Sequence, residues 1–353
     1  MENNIENIQN QADINEANEA AADNTVETEV KSAEAKNPYE ELFTPDELKL
    51  IEEYAGKISI TDDGVRTGYG VAVQKKAADL ASAAVLGATG RDDSVSLGLM
   101  NELIGLIREM EASDSEKTGI LGIFKTKGGK LAELSERFEQ AEPVADEIMT
   151  ALDADKEAAS ADVKVFGDLY ELNLNCIKEL TMYIAAAKMK LKSERDVTLV
   201  KICEFAKNSG DAADIDAATD FAEMCRGFGE RIASLEQARA LVMQSAPRIM
   251  LLRNNSAAMC EMIGEINANA LGVWKRHAAS ALGIDKVGSA VKMPGNAFDR
   301  EFLKTINTEM IDFLGYVIDR YKKVDEDRAR AEAELRAVEG ELKQLLFAAA
   351  SQI

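Results

Sequence analysis

A chain of 353 residues is long enough for one large or two ordinary domains, and its formal net charge of −22 disfavours binding to nucleic acid or to an anionic membrane over the chain as a whole. Nucleic-acid binding depends on Lys and Arg that neutralise phosphates. Aromatic residues make up only 5% of the chain and there are 5 prolines, so the apolar fraction of 46% comes mainly from helix-forming residues. No stretch approaches the roughly eighteen consecutive apolar residues of a transmembrane helix.

Residues 1–37 are predicted to form a disordered acidic N-terminal tail. They are rich in Asn, Glu, Ala and Asp and contain few large apolar side chains. Such a segment cannot bury enough surface to offset its conformational entropy. It also lacks the basic start and apolar centre of a secretory signal, so we expect a cytoplasmic protein.

Residues 38–118 are predicted to form an N-terminal helical region. Thr44-Pro45-Asp46-Glu47 combines an N-cap Thr, a Pro in the first turn and a Glu three residues after the cap, which is the pattern of a helix start. Two more helices are predicted, one from Asp62 or Asp63 to the glycines Gly87 and Gly90, and one from about Val95 to Met110.

Residues 119–283 are predicted to form a central helical core that begins with GILGIFKTKGGK at 119–130. This run is not a phosphate-binding loop, because its glycine spacing is wrong and Leu131 occupies the place of Ser or Thr. We interpret it as a basic, apolar hinge that packs on another surface. Shallow insertion of Phe124 and its neighbours into a membrane is the alternative.

The helical signal from Leu131 to about Lys192 is very long, and its apolar residues alternate by three and four as in a coiled-coil hairpin. Asp153 and Asp155 are predicted to mark the bend between its two limbs, and Asn173 to be a register-setting polar residue in the seam. A shorter helix from about Val197 to Ala206 is predicted to end at the C-cap Asn208-Ser209-Gly210.

The next long helix starts near Ala217 and leads to Pro247, which should kink or break it because proline has no backbone N–H to donate. Residues 284–353 are predicted to be a loop followed by a helix from about Ala297 to Ala350. The predicted fold class is therefore all-α, an elongated bundle of long helices with coiled-coil-like hairpin arms.

The sequence predicts no catalytic, metal-binding or cofactor-binding residues. His277 is the only histidine and has basic neighbours, whereas catalytic triads and most zinc sites need His with partners. The four cysteines are far apart in the sequence and are interpreted as reduced thiols on helix faces. They are Cys176, Cys203, Cys225 and Cys260.

The most distinctive stretch is Met243–Asn255, which concentrates polar and basic residues around Pro247. One interpretation is structural, since backbone groups freed by a proline need hydrogen-bond partners. The other is that basic side chains here and at 275–276 face one way and hold an anionic ligand or a partner. The candidate contact residues are Gln244, Ser245, Arg248, Arg253, Asn254, Asn255, Trp274 and Lys275.

This stretch resembles the core signature of the TelA/KlaA toxic anion resistance family. The run MQSAPRIMLLRNNSAAMCEMI at 243–263, with VWKR at 273–276, contains the family's Gln-Ser-x-Pro-x-Ile pattern, its Asn-rich continuation and its Trp-Lys step. Residues 169–191 and 228–236 are also similar to that family. The likeness covers about residues 60 to 280, and the chain departs from it at 283–302, where a Thr-Asn-containing helical segment is expected.

The resemblance implies an all-helical cytosolic protein linked to tellurite resistance and to envelope or phage stress, without agreed catalytic residues. We therefore expect a non-enzymatic scaffold or adaptor that needs no cofactor and acts through other proteins of a resistance or stress system. The alternatives are a thiol-dependent binder or reductase of the oxyanion and an adaptor held weakly at the inner membrane. The sequence leaves the oligomeric state open.

Overall fold

A computed structural model describes residues 43–89, 93–115, 127–266, 270–284 and 299–351, and every regular element within these ranges is helical. The predicted all-α class and the long helices are confirmed. The predicted tail at 1–37, and residues 119–126 of the glycine- and lysine-rich run, lie outside the described residues. The helices are α1 (Pro45–Lys57), α2 (Asp63–Gly68), α3 (Val71–Ala88), α4 (Ser94–Ser115), α5 (Lys127–Ser193), α6 (Val200–Ser209), α7 (Ala212–Glu265), α8 (Leu271–Leu282) and α9 (Arg300–Ala350).

The chain divides into two compact units, residues 1–48 and 49–353. In the first unit, the described residues contain the start of α1. The Thr44 main-chain N–H donates to Glu47 Oε2 at 2.9 Å, and the Glu47 N–H donates to Thr44 Oγ1 at 3.4 Å. The predicted helix start is confirmed, since this reciprocal pair is the capping box expected from the sequence.

The single helix predicted from Asp62 to Gly90 is wrong, because α2 and α3 are separated at Gly70. Gly70 has φ +69°, a left-handed conformation that side chains with a Cβ rarely adopt. A Cβ at this position would also lie 2.7 Å from Leu235 Cδ2. The glycine therefore allows both the turn and its close contact with α7.

The bend predicted at Asp153 and Asp155 is also wrong, because α5 is one helix of 67 residues. Asp155 Oδ2 accepts hydrogen bonds from Ser96 Oγ at 2.6 Å and from Tyr321 Oη at 3.1 Å. The Asp155 side chain is thus engaged with α4 and α9, and the helix continues past it.

The hairpin instead forms between α5 and α7, which run antiparallel. Gly167 of α5 lies beside Arg253 of α7, and the Lys188 ammonium pairs with Glu236 at 2.9 Å. Residue numbers thus rise along one helix as they fall along the other. The helical backbone of α5 continues through a π-helical segment, Glu194–Leu199, into α6, and the chain turns back at the predicted C-cap, where Gly210 has φ +65°.

The unit 49–353 is an up-down-up-down bundle of four helical lines. α3 and α4 lie end to end and form one line that runs antiparallel to α5. The pairs Lys76–Glu179 and Ser96–Asp155 show this direction. α8 continues the line of α7, and α9 runs parallel to α5 on the opposite side of the bundle, in contact with α3, α4, α7 and α8. Adjacent lines are antiparallel, which is the usual geometry of such bundles.

One large cluster of apolar side chains fills the half of the bundle that contains α4 and α8. At the edge of this apolar cluster, two polar contacts join α9 to α5 across the bundle. They are Tyr321–Asp155 and Arg328–Asp162. The members of each pair are separated by 166 residues in the sequence, so the two contacts lie one heptad apart on both helices. They therefore fix the register of α9 against α5.

Candidate functional site

Pro247 lies inside α7, which continues unbroken from Ala212 to Glu265, so the predicted break is wrong. Side chains of the same stretch bond to main-chain carbonyls around the proline. Arg248 Nη1 donates to the Gln244 carbonyl at 2.6 Å, and Ser245 Oγ donates to the Leu241 carbonyl at 3.3 Å. The carbonyl that loses its donor is that of Met243, four residues before Pro247, so these contacts do not replace the missing N–H; packing on the neighbouring lines, with Ala246 and Ile249 buried, keeps the helix in place.

The two arginines of the stretch have different surroundings. Arg248 Nε donates to Glu334 Oε2 of α9 at 2.6 Å, and the arginine side chain is 33% exposed. Arg253 is exposed and lies along α5 beside Gly167. Arg248 therefore joins α7 to α9, whereas the guanidinium of Arg253 remains accessible to solvent.

Two asparagine side chains on the facing helices α5 and α7 carry a buried polar atom without a hydrogen-bond partner among the described residues. These atoms are Asn255 Nδ2 and Asn173 Oδ1, and Asn173 is only 2% exposed. Asn254, next to the first of them, is exposed. Asn173 does occupy a buried seam position, as expected, and its role in setting register stays a prediction.

Trp274 and Lys275 lie elsewhere in the bundle. The Trp274 indole N–H donates to Asn307 Oδ1 of α9 at 3.1 Å, and its ring packs near Phe138 with centroids 5.9 Å apart. Lys275 Nζ lies 2.6 Å from Asp146 Oδ1 of α5. Both side chains hold α8 in place, and Asn307 is a partner that the sequence analysis missed.

The eight predicted contact residues therefore do not form one site. Asp146, beside Lys275, and Gly167, beside Arg253, are 21 residues apart on the same helix, which corresponds to about 30 Å at 1.5 Å per residue. A single small ligand cannot touch both groups. Only the candidates from Gln244 to Asn255 could still share one contact surface, and that role stays a prediction.

A buried arginine on α7, Arg231, could not be singled out from the sequence. Arg231 is 4% exposed and forms no ion pair with any residue in the described ranges. Its guanidinium donates to the Tyr69 carbonyl at 2.6 Å and to Gln74 Oε1 at 2.7 Å. Burial lowers the pKa of Arg231 to about 10, since desolvation disfavours the charged form.

This arginine fixes the α2–α3 turn on α7. Tyr69, whose carbonyl it binds, donates its own hydroxyl to the Tyr183 carbonyl of α5 at 2.8 Å. Burial raises the pKa of Tyr69, so the hydroxyl stays protonated and remains a donor. Arg231 lies within the run 228–236 noted above, but only its burial distinguishes it from other arginines.

None of the four cysteines forms a disulfide within the described residues, and they differ in exposure. Cys176 and Cys225 are buried, Cys260 is intermediate and Cys203 is exposed. Burial raises the pKa of Cys176 to about 11 and also raises the pKa of Cys225. Both thiols are therefore less nucleophilic than a free cysteine. Within the ranges that the structure covers, no group of three or more His, Cys, Asp or Glu is placed to hold a metal ion.

The end of the α5–α7 hairpin, residues 188–229, extends beyond the other two lines, and we call it the arm. Residues of α9 lie level with residues of α5 that are 166 positions earlier in the chain. The last residue of α9, Ala350, is therefore level with about residue 184 of α5. α6 packs on α7 and on the π-helical segment. The arm is therefore a two-helix structure with open sides.

The arm exposes large apolar side chains. Val197 and Val200 are each 46% exposed, Phe205 is 63% exposed and Ile215 is 51% exposed. Four cations of the arm form no ion pair with described residues, and these are Lys192, Arg195, Lys201 and Lys207. An apolar surface of this kind, accompanied by charged residues, is typical of a protein contact.

Comparison with known proteins identifies the family. The family model described as toxic anion resistance protein (TelA) matches residues 51–300. The chain belongs to the TelA family. The matched range contains α2 to α8, the arm and all eight predicted contact residues, so the resemblance noted in the sequence is confirmed.

Several bacterial proteins are similar to this TelA-family chain over most of their length. A TelA-like protein of Staphylococcus haemolyticus is 23% identical, with 97% of this chain and 93% of the relative covered. The Bacillus subtilis protein YaaN is 28% identical over 70% of this chain and 73% of its own length. Lmo1967 of Listeria monocytogenes is 23% identical over 87% of this chain and 85% of its own length. None of the solved structures matches the chain.

α9 lies almost wholly outside the TelA match, although it completes the bundle. Asn307, the partner of Trp274, and Glu334, the partner of Arg248, both belong to it. Residues of the family signature are thus held by a helix that the family model does not cover. No helix in the described part of the chain is long and apolar enough to cross a membrane.

Proposed function

We propose that this TelA-family protein is a non-enzymatic helical scaffold or adaptor that supports resistance to toxic anions such as tellurite, or an envelope stress response, through contacts with proteins. The observation that carries the proposal is the arm, which extends past the bundle and leaves Val197, Val200 and Phe205 facing solvent. Helical surfaces with exposed apolar anchors serve as docking sites for other helices. Family membership supports the link to toxic anions.

The test is growth of a deletion strain across a tellurite gradient, with complementation by the wild type or by Phe205→Glu. Phe205 is 63% exposed, so the substitution removes an apolar contact without opening a cavity. We expect the variant to be stable and to fail in complementation. Leu86→Glu is the matched control, because Leu86 is 76% exposed on α3, away from the arm, and should complement fully.

A second experiment separates a scaffold from an enzyme. Purified protein is incubated with tellurite and a thiol or nicotinamide reductant, and the remaining tellurite is measured. Because thiols reduce tellurite on their own, a scaffold leaves the rate of tellurite loss equal to that of a protein-free control. Turnover by the pure protein would refute the proposal.

The exposed thiol of Cys203 favours one alternative, a thiol-dependent binder or reductase of the oxyanion. Replacing Cys203 with Ser removes the most accessible thiol while the other three remain in less exposed positions. Loss of complementation by Cys203→Ser, together with full complementation by Phe205→Glu, would favour the thiol mechanism over the scaffold.

A further inference from the structure

The two limbs of the arm carry opposite charge. The first limb, residues 188–209, contains six basic residues and three acidic ones, although the whole chain has a net charge of −22. The second limb, residues 210–229, contains five acidic residues and one basic residue. Charge is therefore separated between two helices that lie side by side.

Much of this charge is not neutralised within the chain. Lys201 and Lys207 on the first limb, and Asp216 and Asp220 on the second, are exposed and form no ion pair with described residues. Both limbs also expose an apolar side chain, Phe205 at 63% and Ile215 at 51%. Each limb thus offers the two features of a helix–helix contact, an apolar anchor and charged flanks.

We infer that the arm is a self-association surface, on which the arm of a second copy of this chain docks. A two-fold axis parallel to the arm places the basic limb of each copy against the acidic limb of the other. The neighbouring limbs are then antiparallel, and the product is a four-helix bundle that covers apolar side chains left open in the single arm. Such an interface uses the same surface on both copies.

The charge pattern favours this occupant over a membrane. Five acidic residues on the second limb would lie close to any surface that the first limb approached, and an anionic lipid surface would repel them. A second copy instead supplies a basic limb for that acidic limb. It therefore complements both halves of the arm at once.

The test uses the purified full-length protein at several concentrations and measures its mass by light scattering after gel filtration. The chain has a mass of 38.4 kDa, so the dimer is expected at twice that value. Phe205→Glu should raise the dimer dissociation constant by at least about tenfold, the effect of losing one well-placed apolar anchor. Leu86→Glu is the control that should leave it unchanged.

Charge reversal provides a sharper test. Lys201→Glu with Lys207→Glu reverses two charges on the first limb, and Asp216→Lys with Asp220→Lys reverses two on the second limb, so in each variant alone these positions face like charge and we expect a monomer. Mixed together, the two variants should form a heterodimer, because the substituted positions of one variant then face those of the other with opposite charge. Lys322→Glu with Lys323→Glu, at exposed positions on α9, is the matched control and should stay dimeric.

The outcomes separate this inference from the proposed function on which it rests. A monomeric wild type at all concentrations, a dimer indifferent to the arm variants, or a mixture that stays monomeric overturns self-association. If the protein is monomeric and Phe205→Glu still fails to complement, the arm binds another protein and the scaffold proposal stands. If the protein dimerises through the arm but Phe205→Glu complements fully, self-association stands and the arm-based function fails.

Discussion

Arg328 offers the most direct test of how the bundle is held in register. The side chain is almost buried, and its guanidinium makes three bonds to two other lines. Nη1 pairs with Asp162 Oδ2 at 2.9 Å, while Nε and Nη2 donate to the carbonyls of Ala88 at 3.1 Å and Gly87 at 2.7 Å. Arg328 thus joins the end of α3 to α5 and α9.

Replacing Arg328 with Ala removes all three bonds and leaves two carbonyls and a carboxylate without this partner. Breaking a buried pair by removing one member costs about 3 to 5 kcal/mol. The Asp162 side chain is 22% exposed, so water recovers part of the loss, and we expect a decrease of about 3 kcal/mol in the free energy of unfolding. Arg328→Lys keeps the charge but loses the fork geometry, and should cost about half as much.

The assay is urea unfolding of the full-length protein followed by circular dichroism at the helix band. Arg330→Ala is the control, because Arg330 is two residues away, 65% exposed and, among the residues that the structure describes, paired only with Asp327 in the same helix. Its effect should stay within about 0.5 kcal/mol. Equal effects of Arg328→Ala and Arg330→Ala would refute the argument, since they would show that the crossing contact adds nothing to stability.

Three other substitutions or reactions test separate features. Gly70→Ala should destabilise the protein by about 1 to 2 kcal/mol, because Gly70 has a left-handed φ of +69° and Leu235 lies close to it. Gly98→Ala, in open space on α4, should be neutral or stabilising, and urea unfolding of both variants measures the difference. Asn307→Ala leaves the buried indole N–H of Trp274 unpaired and should cost about 1 to 3 kcal/mol, and the emission of this single tryptophan reports the change directly. At pH 8, iodoacetamide should modify Cys203 first and leave Cys176 unmodified in the folded protein, because burial raises the pKa of Cys176 to about 11; mass spectrometry of the digested protein would contradict this if both reacted at one rate.

Local signals in the sequence predicted the helix ends well. The capping box at Thr44 and Glu47 and the C-cap at Gly210 depend on residues within one turn of each other, so spacing alone reveals them. The cap at the start of α9 is equally local, since Asp299 Oδ1 accepts from the Phe302 N–H at 3.0 Å, although the helix was predicted to begin earlier, near Ala297. Such contacts require no knowledge of the tertiary fold.

The errors occurred where a distant partner determines the outcome. Asp155 resembles a helix breaker in sequence, but its carboxylate binds Ser96 and Tyr321, which are 59 and 166 residues away. Pro247 stays within a continuous helix that packs on the neighbouring lines, with Ala246 and Ile249 buried. Neither outcome follows from the composition of the helix itself.

The candidate site shows the same limit. The family signature around Pro247 could be found from the sequence. The separation of about 30 Å between Arg253 and Lys275, in contrast, depends on the register of α5 against α7 and α8. The arm was overlooked for a related reason. An apolar side chain at a helical repeat has the same pattern whether it is buried, as Phe221 is, or exposed, as Phe205 is.

The place of α9 in the bundle has a consequence for synthesis in the cell. This line of 51 residues contacts α3, α4, α7 and α8, all of which leave the ribosome before it. At about 5 to 20 residues per second, its translation takes roughly 3 to 10 seconds. During that interval the apolar surfaces of these helices that α9 covers have no partner within the chain. Exposed apolar surface of this kind is what chaperones bind on nascent proteins.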